Sequence, residues 1–100
     1  GHKPGLIISV SSGDGGSYPI AELRMSSYKN SRICYIPDHV ILRKVESVLN
    51  DNSEENDKRS DSYYRERLQW SLNILKEYAI ALKMVRESGA TDSDTFKNGM

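Results

Sequence analysis

An α/β domain built on parallel strands is the fold class this sequence predicts, on three observations. Leu6-Ile7-Ile8-Ser9-Val10 is an apolar, β-prone run of the kind that a parallel sheet covers on both faces. A loop of glycines and serines carries the chain out of that run and into a helical pattern that opens just after Pro19. A second apolar run and then a long periodic helix follow, which is the alternation of a β-α-β-α chain rather than of a hairpin protein.

Taken in order, the first strand spans Leu6 to Val10, apolar apart from Ser9. The loop from Ser11 to Pro19 holds Gly13, Gly15 and Gly16 among Ser11, Ser12 and Ser17. Glycines permit close approach of a ligand to the main chain, and serines place hydroxyls beside it, so the loop is a candidate cofactor cradle. A tight strand-to-helix turn also asks for glycine on steric grounds alone. Ile20, Leu23, Met25 and Tyr28 then give an apolar stripe on a helix of about ten residues, with Ser17 as a cap and Pro19 in the first turn.

Arg32 to Ile36 reads as the second strand, stopped by Pro37-Asp38. Val40 to Leu49 mixes strand and helix spacing, consistent with an extended piece followed by a short helical turn. Asp51 to Ser62 carries no hydrophobic residue; its acids and bases predict a solvated, mobile loop without chemistry. From Tyr63 to Ser88 the positions Tyr64, Leu68, Ser71, Leu72, Leu75, Tyr78, Ala79, Leu82 and Val85 recur at three-and-four spacing. Asp61 or Ser62 serves as N-cap, and Gly89 as the residue just past the end. Trp70, Ile74, Ile80 and Met84 add apolar surface beyond that stripe, which predicts contact with more than one neighbour and places Trp70 at an interface and Tyr78 in a core. Residues 1–89 thus form one structural unit containing the polar loop 51–62, and 90–100 form a polar, frayed tail.

Composition closes off several function classes. The chain has 100 residues, 37% hydrophobic and 28% charged, with 14 basic residues against 14 acidic ones. That balance supplies no net field for nucleic acid or an anionic membrane. No stretch approaches the roughly 20 apolar residues of a membrane span, and no secretory signal is visible. The single cysteine, Cys34, excludes an internal disulfide and suits a reducing cytoplasm, where it reads as a small buried hydrophobe. No Cys/His/Asp cluster has ligand spacing, so no metal is expected. There is no Gly-x-Ser-x-Gly frame, and His39, beside Pro37-Asp38, reads as a surface or capping residue, which disfavours a serine hydrolase. Arg65 and Arg67 could hold an anion such as a nucleotide phosphate, but solvent-facing helix charges are their commoner role.

Two strands and two helices fall short of a doubly wound sheet, which needs about five strands and roughly 150 residues. The expectation is therefore part of a domain. The residues that bear on its identity are Lys3-Pro4 before the first strand, Ile8-Ser9-Val10-Ser11-Ser12-Gly13 with Gly15-Gly16 after it, and Glu22-Leu23-Arg24 on the helix. Tyr35-Ile36-Pro37 on the second strand, and Tyr64-Arg65-Glu66-Arg67-Leu68 with Leu75-Lys76-Glu77-Tyr78-Ala79 on the last helix, complete the set. In this order and spacing, from Lys3 to about Arg86, they resemble the carboxyl half of the NADPH-dependent FMN reductase family, a flavodoxin-like group. Family members often carry two residues between the first glycine and the glycine pair, where this chain has only Asp14.

The resemblance implies a partial flavodoxin-like doubly wound parallel sheet: its fourth and fifth strands plus the long terminal helix. It implies FMN as cofactor and NADPH as electron donor, with Ser11, Ser12, Gly13, Gly15 and Gly16 contacting the flavin ring edge through backbone amides and hydroxyls. Asp14 is poorly suited to that contact, because a carboxylate repels the electron-rich reduced ring. No catalytic side chain is expected, since the cofactor performs the redox step. The implied protein is an NAD(P)H-dependent, cytoplasmic oxidoreductase completed by an amino-terminal half, and the apolar surface of Trp70, Ile74 and Met84 separately predicts a homo-oligomer. The alternative is a truncated, non-catalytic oligomerisation or interaction module.

Overall fold

The computed structural model describes residues 1–27 and 30–98, so Tyr28, expected on the first helix, lies outside the described residues. The chain is mixed α/β. Strand β1 (Pro4–Val10) leads to helix α1 (Ser17–Ser26), strand β2 (Cys34–Leu42) follows, and helix α2 (Lys58–Glu87) comes last. The strands pair in parallel, with Ile8 opposite Val40 and Val10 opposite Leu42. Short 3-10 turns occupy Val45–Ser47 and Ser53–Glu55.

The second strand runs through Pro37 instead of stopping there. Gly5 pairs with Tyr35 and Ile7 with His39, so one residue on β1 faces three on β2. Such a bulge suits a proline, which has no N–H to give to a ladder. It also leaves carbonyls without strand partners, and Arg24 on α1 collects them: its Nη2 donates to the oxygens of Ile36, Pro37 and Asp38 at 2.9, 3.1 and 3.3 Å. His39 consequently sits within β2, half-buried, rather than in a surface turn.

The core gathers around β2 and is small: Ile7, Ile20, Ile36, Val40, Leu42 and Val48 are its buried hydrophobics. Side chains alternate across a strand, so Ile7, Ser9 and Ile41 share the face toward α1, and Ile8, Val10, Val40 and Leu42 share the opposite face, which α2 covers. Coverage on that face is uneven. The helix begins over the carboxyl end of β2, where Tyr64 Oη accepts from Arg43 N at 3.2 Å, and ends near the amino end of the chain, where Arg86 Nη1 donates to His2 O at 2.8 Å. This diagonal path buries Val40 and Leu42 but leaves Ile8 44% and Val10 56% exposed. Ser71, fully buried on α2, has no partner for its hydroxyl among the described residues. Tyr78, expected in a core, is 40% exposed.

The polar stretch 51–62 is shorter and more structured than its composition suggests. Asn50 N and Nδ2 both donate to Asn56 Oδ1, and Asn56 Nδ2 returns a bond to Asn50 O at 3.0 Å. Asp57 then caps α2 by accepting from Ser60 N at 2.9 Å, so the helix starts at Lys58. Asp61 and Ser62, the two expected caps, lie inside the helix, where Asp61 accepts from Leu49 N and Arg65 Nε. At 30 residues α2 is about 45 Å long. Its end follows expectation, with Gly89 in the left-handed region at φ 76°. In the tail, Arg32 Nη2 donates to the carbonyls of Phe96 and Asn98.

Among the described residues no helix is long and apolar enough to cross a membrane, and no group of three or more His, Cys, Asp or Glu is placed to hold a metal ion.

Candidate functional site

Three segments converge at the carboxyl ends of the two strands, the place where open α/β sheets hold their ligands. The first is the loop after β1. Ser9 Oγ donates to Gly16 O at 2.5 Å, and Ser11 Oγ donates to Gly13 O at 2.7 Å, so side chains of the strand end shape the turn. Gly16 is buried, and a Cβ built there would stand 2.6 Å from Ile41 Cγ2 and 3.1 Å from Ser9 Oγ. Around Gly13 and Gly15 a Cβ would meet nothing within 4 Å. Neither these two nor Gly16 has positive φ.

The five residues expected at a flavin ring therefore lie together on one loop but in two roles. Gly16 faces the protein, as the residue that lets α1 start against β2. Ser12, Gly13 and Gly15 are exposed, with open space over their backbone. Ser11 is half-buried, and its hydroxyl proton is already spent on the loop. A planar ring approaching the exposed side would meet Ser12, Gly13 and Gly15.

The second segment is the turn after β2. Ser47 donates through both its N and its Oγ to Lys44 O at 2.9 Å, and Lys44 itself is held in the left-handed region at φ 49°. Val45 N donates to Ser11 O at 3.2 Å, tying this turn to the first loop. Leu49, also left-handed at φ 59°, donates its N–H to Asp61 Oδ1 at 2.7 Å. The third segment is the start of α2, joined to the turn by Asp57 N donating to Ser47 O at 2.7 Å.

A cleft of about 460 Å³ opens between these segments, lined by Asp14, Arg43, Lys44, Ser47, Val48, Asp57, Ser60 and Tyr64. A second, of about 380 Å³, shares Arg43 and Tyr64 and runs along the outer edge of β2 past Tyr63 and Arg67. Arg43 Nε is 3.9 Å from Asp14 Oδ1, a loose contact between exposed side chains. Arg67, read as a solvent-facing charge, is instead half-buried: its Nη2 donates to Asp38 Oδ1 at 3.1 Å and reaches His39 O at 3.5 Å, and its guanidinium lies 4.6 Å from the centre of the Trp70 ring. Arg65 stays on the surface, paired with Asp61. The hydroxyl and amide of Ser60 hold the Asp57 carboxyl below its ordinary value, and Lys44 adds to this from a distance. Asp61 is lowered as well, first by the Arg65 hydrogen bond and then by Leu49 N.

Sequence reasoning missed this cleft. Arg43 and Lys44 fall in the stretch whose spacing was ambiguous, and Tyr64 lies 21 residues beyond Arg43. The basic pair directly after an apolar strand was the available signal. Comparison of the chain with protein-family models, with curated proteins and with solved structures found no match.

Proposed function

We propose that this chain is the carboxyl-terminal part of an NAD(P)H-dependent FMN reductase-like flavoprotein, contributing a flavin-ring loop and an interface helix. The observation that carries the reading is the unequal treatment of the two sheet edges. On the outer edge of β2, Arg67 approaches His39 O, Tyr64 covers Arg43 N just past the strand, and Pro37 sits in the bulge. Those are the devices by which proteins close a terminal strand.

The outer edge of β1 is less guarded: among the described residues its one such device is Pro4, at the first position of the strand. Ser11 N donates to Leu42 O, so the alternation of a parallel ladder turns the N–H and C=O of Ile8 and Val10 away from β2. Those groups have no strand partner among the described residues, and the exposed side chains of Ile8 and Val10 stand beside them. A sheet built this way extends from β1, which suits β1 as a fourth strand and β2 as a fifth. The loop after β1 would then face the crevice at the carboxyl ends, where a flavin lies in flavodoxin-like sheets.

FMN fits the exposed side of that loop. Ser12, Gly13 and Gly15 would present backbone to the ring edge, and no side chain obstructs the approach to the two glycines. When bound, FMN would supply the hydride chemistry between NADPH and an acceptor; this chain would position and shield the ring. The Gly16 packing and the Ser9 hydrogen bond fix the loop so that little entropy is lost on contact.

Flavin fluorescence tests the reading. The chain alone is expected to bind FMN weakly or not at all, because one set of ring contacts cannot offset the cost of immobilising it. Adding a segment that carries the first three strands of such a sheet should quench FMN stoichiometrically. Absence of quenching by a folded pair would remove the flavin assignment. A second reading, an oligomerisation module, is favoured by the exposure of Trp70, Ile80 and Met84 along α2, and predicts association without any flavin response.

A further inference from the structure

We propose that the 460 Å³ cleft at the carboxyl ends of both strands binds the phosphate group of a small molecule, with Arg43, Lys44 and the Tyr64 hydroxyl as its donors. The inference does not rest on the flavin reading, because the three donors lie after β2 and on α2, and the glycine loop contributes only Asp14 to the cleft.

The chemistry of the lining points to an acceptor-rich ligand. Tyr64 Oη accepts from Arg43 N, and its own proton has no acceptor among the described residues. Among the described residues Lys44 forms no ion pair within 4.0 Å. Among the described residues the Arg43 guanidinium has only the 3.9 Å contact to Asp14, whose side chain is 93% exposed and free to swing aside. Three donors, two of them cationic, thus face a common space, opposed there by the loosely held Asp14 and by Asp57. Phosphate oxygens satisfy such a set, and arginine suits them through its fork of N–H groups.

Two acids also line the cleft, and their placement decides whether an anion is tolerated. Asp57 is committed to the helix cap, accepting from Ser60 N at 2.9 Å, and it remains a fixed negative charge that Arg43 and Lys44 together must outweigh. Asp14 is a weak competitor for Arg43, so a bound phosphate would take its place.

The walls are fixed before any ligand arrives. Hydrogen bonds from Val45 N to Ser11 O, Asp57 N to Ser47 O and Arg43 N to Tyr64 Oη join all three segments. Lys44 keeps a left-handed backbone that a lysine adopts only when its surroundings impose it. Tyr63, 62% exposed beside the adjoining cleft and edge-on to Tyr64, offers a ring face to any planar group attached to the phosphate.

Titration of the isotopically labelled chain with inorganic pyrophosphate and, separately, with ADP tests this by amide chemical shifts, with circular dichroism of α2 checking that each variant is folded. Saturable shifts are expected at residues 43–47 and 60–64 for both probes, tighter for ADP if Tyr63 stacks on the base and equal if the phosphate alone is read. Arg43→Gln with Lys44→Gln should weaken binding by about tenfold or more. Arg65→Gln, on a surface arginine outside the cleft, should leave it unchanged. Asp14→Asn should tighten binding, a gain that damage to the fold cannot produce. No saturable shift in folded chain up to about 10 mM of either probe, a range that includes very weak binding, would overturn the proposal. So would equal losses from the Arg65 variant and the Arg43/Lys44 pair.

Discussion

Gly13 and Gly16 stand three positions apart in one loop, and the difference between them is what a methyl group would touch. At Gly16 the added carbon would lie 2.6 Å from Ile41 Cγ2, inside any tolerable contact, and beside the Ser9 hydroxyl that bonds Gly16 O. Gly16→Ala is therefore expected to destabilise the chain by about 1–3 kcal/mol through overpacking. Gly13→Ala adds a carbon to open space at a residue without positive φ, and should leave stability nearly unchanged. Urea unfolding followed by circular dichroism separates the two; a Gly16→Ala midpoint equal to the parent's would show that Ile41 yields. None of this was legible in Ser11-Ser12-Gly13-Asp14-Gly15-Gly16, because the residue that constrains Gly16 lies on another strand. Sequence reading recognised the loop and its position after a strand, but it treated its glycines alike.

Among the elements, those with a strong apolar period were legible and those defined by polar side chains were not. The first strand, the first helix and the body of α2 form where their hydrophobic spacing places them, although Leu23 and Met25 on α1 and Leu72, Tyr78 and Val85 on α2 stay exposed. Pro37 misled because a proline ends a regular strand, while here a bulge accommodates it and Arg24, twelve residues before the first of them, satisfies the freed carbonyls. The start of α2 was placed too late because its cap, Asp57, stands in an acidic run with no apolar residue to set a period. That cap and Asp61 make the junction pH-sensitive. Both carboxyls have folded pKa values below the ordinary 3.8, so the unfolded chain binds more protons as pH falls toward that value. The stability they contribute is fully present above about pH 5 and is lost as pH drops through the lowered folded values. Asp57→Asn with Asp61→Asn should flatten the acid limb of stability against pH. An unchanged acid limb in that double variant would assign it to other carboxylates.

For the whole molecule the governing fact is a small core beside a bare face. Ile8 and Val10 belong to an apolar strand, yet α2 passes diagonally and leaves them exposed, while the N–H groups of the same residues point off the sheet. Exposed apolar side chains next to unpaired strand groups are a template for further pairing, and β2 is the guarded side. The chain by itself is accordingly expected to self-associate through β1 as its concentration rises. Sedimentation should show the average mass climbing in the parent and falling back toward the monomer in Ile8→Lys with Val10→Lys, since charge on an edge strand opposes pairing. Tyr18→Lys, at an exposed α1 position, should leave association as in the parent. Hydrogen exchange locates the contact: the amides of Ile8 and Val10 should gain protection with concentration, and that of Ile41 on the opposite edge should not. A parent chain that stays monomeric at high micromolar concentration, or protection confined to β2, would mean that β1 is not the edge from which this sheet grows.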